Sequence, residues 1–246
     1  MTMAQQPRPR AVTAQYEVLP WEFARLKADR PLDSVSPTVN VCLSMLTTMT
    51  IEGAFEMLFR QEIWKASGLP NHEIPNDTLN NRLLRKAEDD IRRISGWGGY
   101  KAMFEIIFGR KISEIVENQG ILEAVDVLFT LRGAVFAHAR SFSFYYNPLA
   151  NSPANIDVEW ESKSFSKIHS YIEKNDLSKT GWQSNEVTDH FFERVLELLV
   201  EIDVKLGKQL LGLTYHGNVA TDFDRELKYV RTVIDRQIAD RQNPYE

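Results

Sequence analysis

The chain has 246 residues, of which 43% are hydrophobic and 26% are charged, a composition that is typical of a globular protein and excludes a wholly disordered one. The net charge of −5 excludes nucleic-acid binding through a broadly basic surface, and the single cysteine excludes an intrachain disulfide. Residues 1–30 lack the apolar core of a signal peptide, and no apolar run reaches the roughly 18 residues of a transmembrane helix. We therefore expect a soluble, cytoplasmic protein with no membrane segment.

Residues 1–35 are predicted to be a mostly irregular N-terminal extension. Prolines recur through this stretch, and proline interrupts helices because it lacks a backbone N–H and clashes with the preceding turn. Trp21, Phe23 and Leu26 are apolar enough to form a short turn that docks on the body of the protein. The rest of the chain, residues 36–246, is predicted to be one helical domain.

Two long helices are predicted at the start of this domain. The first begins at Ser36-Pro37, where a capping residue precedes proline at the first helical position, and it ends near Gly68-Leu69-Pro70. The second ends at the glycine-rich stretch 96–101, which we interpret as a tight turn because its spacing fits neither a phosphate-binding nor a dinucleotide-binding loop. One side of the second helix is charged, and its predicted apolar side consists of Leu79, Leu83, Leu84, Ala87, Ile91 and Ile94.

The second half of the domain is predicted to be helical, with one insertion at about residues 141–162. Residues 141–145 alternate with period two, as a strand does, and residues 158–161 are the predicted partner strand; an irregular loop is the alternative. The remaining predicted helices cover 100–108, 112–118, 121–139, 163–174, 185–211 and 221–241. The predicted fold is therefore all-α: a helical bundle with a short inserted β-hairpin or irregular loop.

Metal and thiol chemistry have little support in the sequence. Glu186, His190 and Glu193 share one predicted helix, but helical di-metal sites use Glu-x-x-His pairs on two helices, and no second pair is present. We therefore predict that His190 lies at the surface or at the boundary of the core, and that the protein uses no metal and no cofactor. Cys42 lies inside an apolar run and is predicted to be a buried, inert thiol.

The strongest candidate for chemistry is the stretch from Leu131 to Arg140, in which an arginine and a histidine lie near a predicted helix end. His138 can transfer protons near neutral pH, and Arg132 can bind a phosphate and stabilise the charge that develops on it. Together these residue types can cleave RNA without a metal. The histidine acts as base on the 2′-hydroxyl or as acid on the leaving oxygen, and the arginine stabilises the pentacoordinate phosphorus. Arg140 is a further candidate for substrate binding.

This stretch resembles the signature of the HEPN family (higher eukaryote and prokaryote nucleotide-binding domains). The signature is Arg, four to six residues and then His, often with a Phe-Ala-His ending. Here Arg132 is followed by five residues and His138, and Phe136-Ala137-His138 matches the common ending. The resemblance implies a helical bundle, commonly a dimer, with metal-independent endoribonuclease activity, in many members as a toxin or antiviral defence effector. The partners that it implies are RNA, a second copy of the chain, and an antitoxin or other protein.

Two positions depart from the family pattern. Gly133 follows Arg132 at a position where active members usually carry a polar residue, commonly Asn. Arg140 stands where one toxin branch carries a tyrosine that its nucleotidyltransferase antitoxin modifies. Two alternatives therefore stay open. One is a non-catalytic HEPN-like interaction or dimerisation protein, and the other is an unrelated helical domain that binds a protein partner.

The spacing of the motif bears on the number of chains in the site. On a regular helix, Arg132 and His138 differ by about 120° in direction and about 9 Å along the axis, so they do not face one phosphate together. Either the helix is broken at Gly133, or two chains combine their residues. We expect a homodimer in which the 132–138 segments face each other across a two-fold interface.

Overall fold

Helices dominate the structure, as the predicted all-α fold requires, and that prediction is confirmed. The structure is a computed structural model that describes residues 19–28, 30, 37–69, 73–136, 144–146, 158–160, 162–177 and 181–206. A short antiparallel hairpin of β1 (Phe144–Tyr146) and β2 (Val158–Trp160) lies in the predicted insertion, with Tyr145 opposite Glu159. Within the described ranges the α-helices are α1 (Leu19–Ala28), α2 (Pro37–Ala66), α3 (Leu79–Ile91), α4 (Gly96–Phe108), α5 (Gln119–Leu131), α6 (Lys163–Lys174) and α7 (Asn185–Lys205).

The 30-residue helix α2 is the centre of the bundle. It packs against α1, α3, α4, α5 and α7, and half of its residues are buried. Among the described residues it is also the one helix that is long and apolar enough to cross a membrane, judged by length and composition alone. More than half of that apolar stretch is covered by the neighbouring helices, so its position as the core helix accounts for its composition.

Buried hydroxyl groups in α2 form hydrogen bonds within the helix itself. The Thr47 hydroxyl donates to the carbonyl oxygen of Leu43 at 2.8 Å, and the Thr48 hydroxyl donates to that of Ser44 at 2.9 Å. A buried polar group that lacks a partner costs free energy, and these bonds remove that cost without help from another helix. The methyl groups of the threonines are then free to pack on neighbours, so α2 can be surrounded although it is not uniformly apolar.

An aromatic cluster joins α2, α4 and α5. The ring of Phe55 lies edge-on to Trp97 and Tyr100, at centroid distances of 5.5 and 5.9 Å. Phe129 on α5 stacks on Trp97 at 5.7 Å. Offset and edge-on ring pairs of this kind contribute about 0.5–1.5 kcal/mol each beyond the area that they bury. The cluster therefore fixes α5, and with it the residues that follow α5, against the central helix.

The helix α1 docks through the buried ring of Phe23, through Leu19 and Leu26, which pack on the core, and through one ion-pair cluster. Phe23 is completely buried and stacks on Phe192 of α7, with 3.6 Å between the ring centroids and 5° between the planes. Arg30 donates to Asp189 at 2.9 Å and to Asn40 at 3.1 Å, which ties the chain after α1 to α7 and α2. Docking near Phe23 was predicted, but the structure has a ten-residue helix there instead of a short turn.

The predicted tight turn over residues 96–101 is wrong, because α4 already begins at Gly96. Gly96, the first residue of α4, has a φ of +74°, a conformation that side chains disfavour. A Cβ atom at Gly99 would lie 2.9 Å from the side chain of Ile94, so a glycine there lets this residue, which precedes α4, pack closely on the first turn of the helix. Trp97 and Tyr100 are buried, and their burial outweighs the poor helix propensity of the glycines.

The predicted apolar side of α3 is only partly correct. Leu79 and Leu83 are 65% and 60% exposed, and among the residues of this helix only Glu88 and Ile91 are buried. Helix α3 packs on α2 and makes no comparable contact with another described helix, so only its C-terminal half is covered. Its start is set locally, since the Thr78 hydroxyl accepts a hydrogen bond from the backbone N–H of Asn81 at 3.1 Å.

The later helices agree closely with their predicted ranges. Helix α6 spans 163–174 as predicted, and α7 begins at the predicted residue and ends at Lys205. The Ser184 hydroxyl caps α7 by accepting from the backbone N–H of Val187. The predicted residues 207–211 of this helix and the predicted helix over 221–241 lie outside the described residues.

Candidate functional site

The candidate site begins where α5 ends. Eight of the thirteen residues of α5 are buried, which holds this helix rigidly in the core. At residues 132–136 the α-helix widens into a π-helical turn, and the backbone N–H of Arg132 is shared between the carbonyl oxygens of Leu128 and Phe129. Such widened turns inside helices occur frequently at functional sites. The regular α-helix therefore ends at Leu131, and Arg132 and Gly133 begin the π turn.

Glycine at position 133 favours this change of geometry. Gly133 is half-buried, and apart from its chain neighbours and the backbone of its own helix no heavy atom lies within 4 Å of the position that a Cβ atom would occupy. Glycine destabilises a helix interior by about 0.5–1 kcal/mol relative to alanine, so a regular continuation of α5 is disfavoured here. The open space also means that a side chain fits at this position without a clash.

Arg132 forms an ion pair with Glu52 of the central helix α2. Its Nη2 atom lies 3.2 Å from the Oε1 atom of Glu52, and the two side chains are 36% and 20% exposed. A guanidinium group has five N–H donors in a planar fork, so this contact leaves donors for a second anion. The carboxylate thus orients the guanidinium, and the guanidinium remains open enough to reach a ligand from solvent.

The pKa of Glu52 depends on its burial and on two neighbouring charges. Burial raises the pKa of Glu52 above its usual value and the charge of Glu56 acts in the same direction, while the positive charge of Arg132 opposes both. Burial also raises the pKa of Tyr100, and the charges of Glu52 and Glu56 add to this effect, so its hydroxyl stays protonated. Arg60 pairs with Glu56 at 2.5 Å one helical turn further along α2. Two carboxylates therefore face Arg132 and Arg60 on one edge of the bundle.

Glu52 is the site residue that the sequence-based prediction missed. It is 80 positions before Arg132, and no local pattern connects residues that far apart. One signal was present: between the start of α2 at Pro37 and Glu52, no residue is charged. A lone carboxylate that ends a long apolar stretch of a core helix requires a cationic partner, because unpaired buried charge is costly.

The other two predicted site residues, His138 and Arg140, lie outside the described residues. Arg132 is therefore the one predicted site residue among the described residues, and its observed partner is Glu52. The pairing of Arg132 with His138 stays a prediction. The described part of the motif ends at Phe136, where the π turn ends.

The structure also bears on the candidates for metal and thiol chemistry. His190 lies half-buried at the edge of the core, as predicted, where its Nε2 atom is 2.7 Å from the Tyr171 hydroxyl. Burial, with a smaller effect of Arg194, lowers the pKa of His190 to about 4.

Among the described residues, no group of three or more His, Cys, Asp or Glu side chains is arranged to hold a metal ion. The prediction of a buried Cys42 is wrong as far as the described residues go, since none of them covers the face of α2 on which it lies.

No protein-family model, no curated protein and no solved structure matches the chain.

Proposed function

We propose that the protein is a HEPN-like endoribonuclease that cleaves RNA by metal-independent acid–base chemistry, as a toxin or antiviral defence effector in the cytoplasm. The observation that carries the proposal is the placement of Arg132. Its guanidinium is held by Glu52 at the end of a buried helix, is one-third exposed, and precedes His138 by six residues. A second copy of the chain completes the site, and an antitoxin or other protein is the expected regulatory partner.

The proposed reaction needs only groups of these types. Arg132 binds the scissile phosphate through its planar fork of donors, which suits a phosphate better than the point charge of lysine does. A neutral His138 takes the proton of the 2′-hydroxyl, and the 2′ oxygen forms a bond to phosphorus while the bond to the 5′ oxygen breaks. A protonated imidazole donates the proton that the leaving 5′ oxygen needs. The products are a 2′,3′-cyclic phosphate and a 5′-hydroxyl.

The central test compares His138→Ala and Arg132→Ala with the parent chain on a labelled single-stranded RNA. Each variant should lose about 100-fold or more of the cleavage rate, the range expected for loss of a general acid–base group or of a phosphate-binding donor. Lys86→Ala is a matched control, because it removes an exposed cation that pairs with Asp90 within α3, a different helix from the one that carries the motif. The products should carry cyclic phosphate ends, and EDTA should leave the rate unchanged.

Helix content and melting temperature must be unchanged in the two motif variants for the comparison to hold. If both variants fold as the parent does and cleave RNA at the parental rate, the motif is not the active site. If the purified parent chain cleaves no cellular RNA under any condition, the ribonuclease proposal fails as a whole.

The alternative, a non-catalytic interaction protein of the same fold, is favoured by one specific observation, the glycine after Arg132. Because the space beside Gly133 is open, Gly133→Asn should fold normally and should supply the polar group that active HEPN members usually carry. A faster reaction in this variant indicates an attenuated ribonuclease. A variant that is folded and still inactive, together with an inactive parent, supports the interaction protein.

A further inference from the structure

An exposed apolar stripe runs along one face of α2. It consists of Cys42, Met45 and Met49, spaced three and four residues apart, which places them on one side of the helix. Met45 is 42% exposed and Met49 is 49% exposed, so none of the described helices covers this face. Spacings of three and four are those of a helix that packs lengthwise against another helix. The next step along the same face is Glu52, the partner of Arg132.

One of the predicted helices lacks an assigned surface. Residues 221–241, which follow the described part of the chain, are predicted to be helical, with a capping Thr221-Asp222 at the start. Apolar residues repeat there at spacings of four, three and four, namely Phe223, Leu227, Val230 and Ile234. An isolated helix of this length is only marginally stable in water, so its apolar side needs another surface to pack on.

We propose that residues 221–241 dock as a helix along the stripe formed by Cys42, Met45 and Met49. The two stripes have the same period and the same apolar chemistry, so their side chains can interdigitate along a shared axis. The docked helix covers a face that would otherwise expose a thiol and two thioethers to water.

The chain is long enough for this arrangement. Helix α7 ends at Lys205, and Leu206, the residue that follows it, lies about 32 Å along the helix axis from Asn185. The Asn185 side chain accepts a hydrogen bond from Asn40 of α2 at 2.9 Å, and Asn40 is two residues before Cys42. The stripe thus begins at most about 47 Å from Leu206 when these steps are added end to end, and a linker over residues 207–220 spans up to about 46–50 Å when extended.

The tether favours this occupant over a second copy of the chain. Docking of a segment of the same chain is an intramolecular event, so its extent does not fall at low protein concentration. A second copy has to bind from solution, so at micromolar concentration it occupies the face only if its dissociation constant lies in that range. The homodimer expected from the motif involves the 132–138 segments and is therefore a separate interface.

Cys42 makes the proposal directly testable, because it is the only cysteine in the chain. The rate at which a small thiol reagent, such as a maleimide, modifies native full-length protein measures how often the stripe is uncovered. Replacing Leu227 and Val230 together by Gln should speed the modification about tenfold or more, since a tenfold preference for the docked form protects the thiol by that factor. The matched control replaces Lys228 and Thr232 by Gln on the opposite side of the predicted helix and should react as slowly as the parent.

Two results would overturn the proposal. One is a parent protein whose Cys42 reacts as fast as that of the Leu227/Val230 variant. The other is protection that disappears on dilution, which would assign the stripe to a second copy of the chain. The melting temperatures of both variants are compared with that of the parent, so that faster modification caused by unfolding is recognised. The readout does not depend on RNA cleavage.

Discussion

Replacing Phe23 by Ala tests whether α1 is an integral part of the fold. Phe23 is completely buried, and its removal leaves a cavity against Phe192. Truncation of a buried phenylalanine costs about 3–5 kcal/mol, and loss of the ring stack contributes part of that value. For a chain of this size such a loss lowers the melting temperature by roughly 10 °C.

Two measurements separate global from local effects of this substitution. Urea unfolding gives the change in the free energy of unfolding, and limited trypsin digestion reports whether α1 opens by itself, since Arg25 and Lys27 are cleavage sites within it. Glu22→Ala is the control, because it breaks only the exposed pair with Arg25 and should change stability by less than about 1 kcal/mol. If Phe23→Ala changes stability by less than about 1 kcal/mol and leaves trypsin cleavage unchanged, α1 does not dock as described.

Two further predictions concern pH and assembly. Burial lowers the pKa of His190 to about 4, so the unfolded chain binds the proton more tightly than the folded one. The free energy of unfolding should therefore fall as the pH falls from about 6.5 towards 4. In a plot of the urea midpoint against pH, His190→Gln should have a smaller slope over this range than the parent. Equal slopes for the two proteins would contradict the inferred burial of His190. Light scattering at micromolar concentration should give about twice the 28.3 kDa mass of one chain, and a strict monomer would remove the two-chain site.

Local signals account for the parts of the fold that the sequence predicted well. Helix α6 and the start of α7 follow from apolar periodicity and from a capping residue such as Ser184, and both signals act within a few residues. The proline at the start of α2 and the glycine after its end act in the same way. Where the neighbours of an element decide the outcome, the sequence alone was insufficient.

Three corrections show this dependence on neighbours. Cys42 and Leu83 are apolar residues in helical patterns, but none of the described helices covers their faces. Gly96 was interpreted as part of a turn, whereas the burial of Trp97 and Tyr100 makes the following residues helical. In the candidate site, the motif identified Arg132, but its partner Glu52 comes from a different helix and became visible only through the packing of α5 on α2.

The central position of α2 has a consequence for how the chain tolerates insertions and deletions. One residue added between Pro37 and Glu52 rotates every later side chain of α2 by about 100° relative to those before it. Glu52 would then turn away from Arg132, and Phe55 would leave the rings of Trp97 and Tyr100. Because five helices pack against α2, a shift of any one of them cannot restore all the contacts that α2 would lose. The length of α2 should therefore be fixed among descendants of this sequence, while the connections between the outer helices remain free to lengthen or shorten.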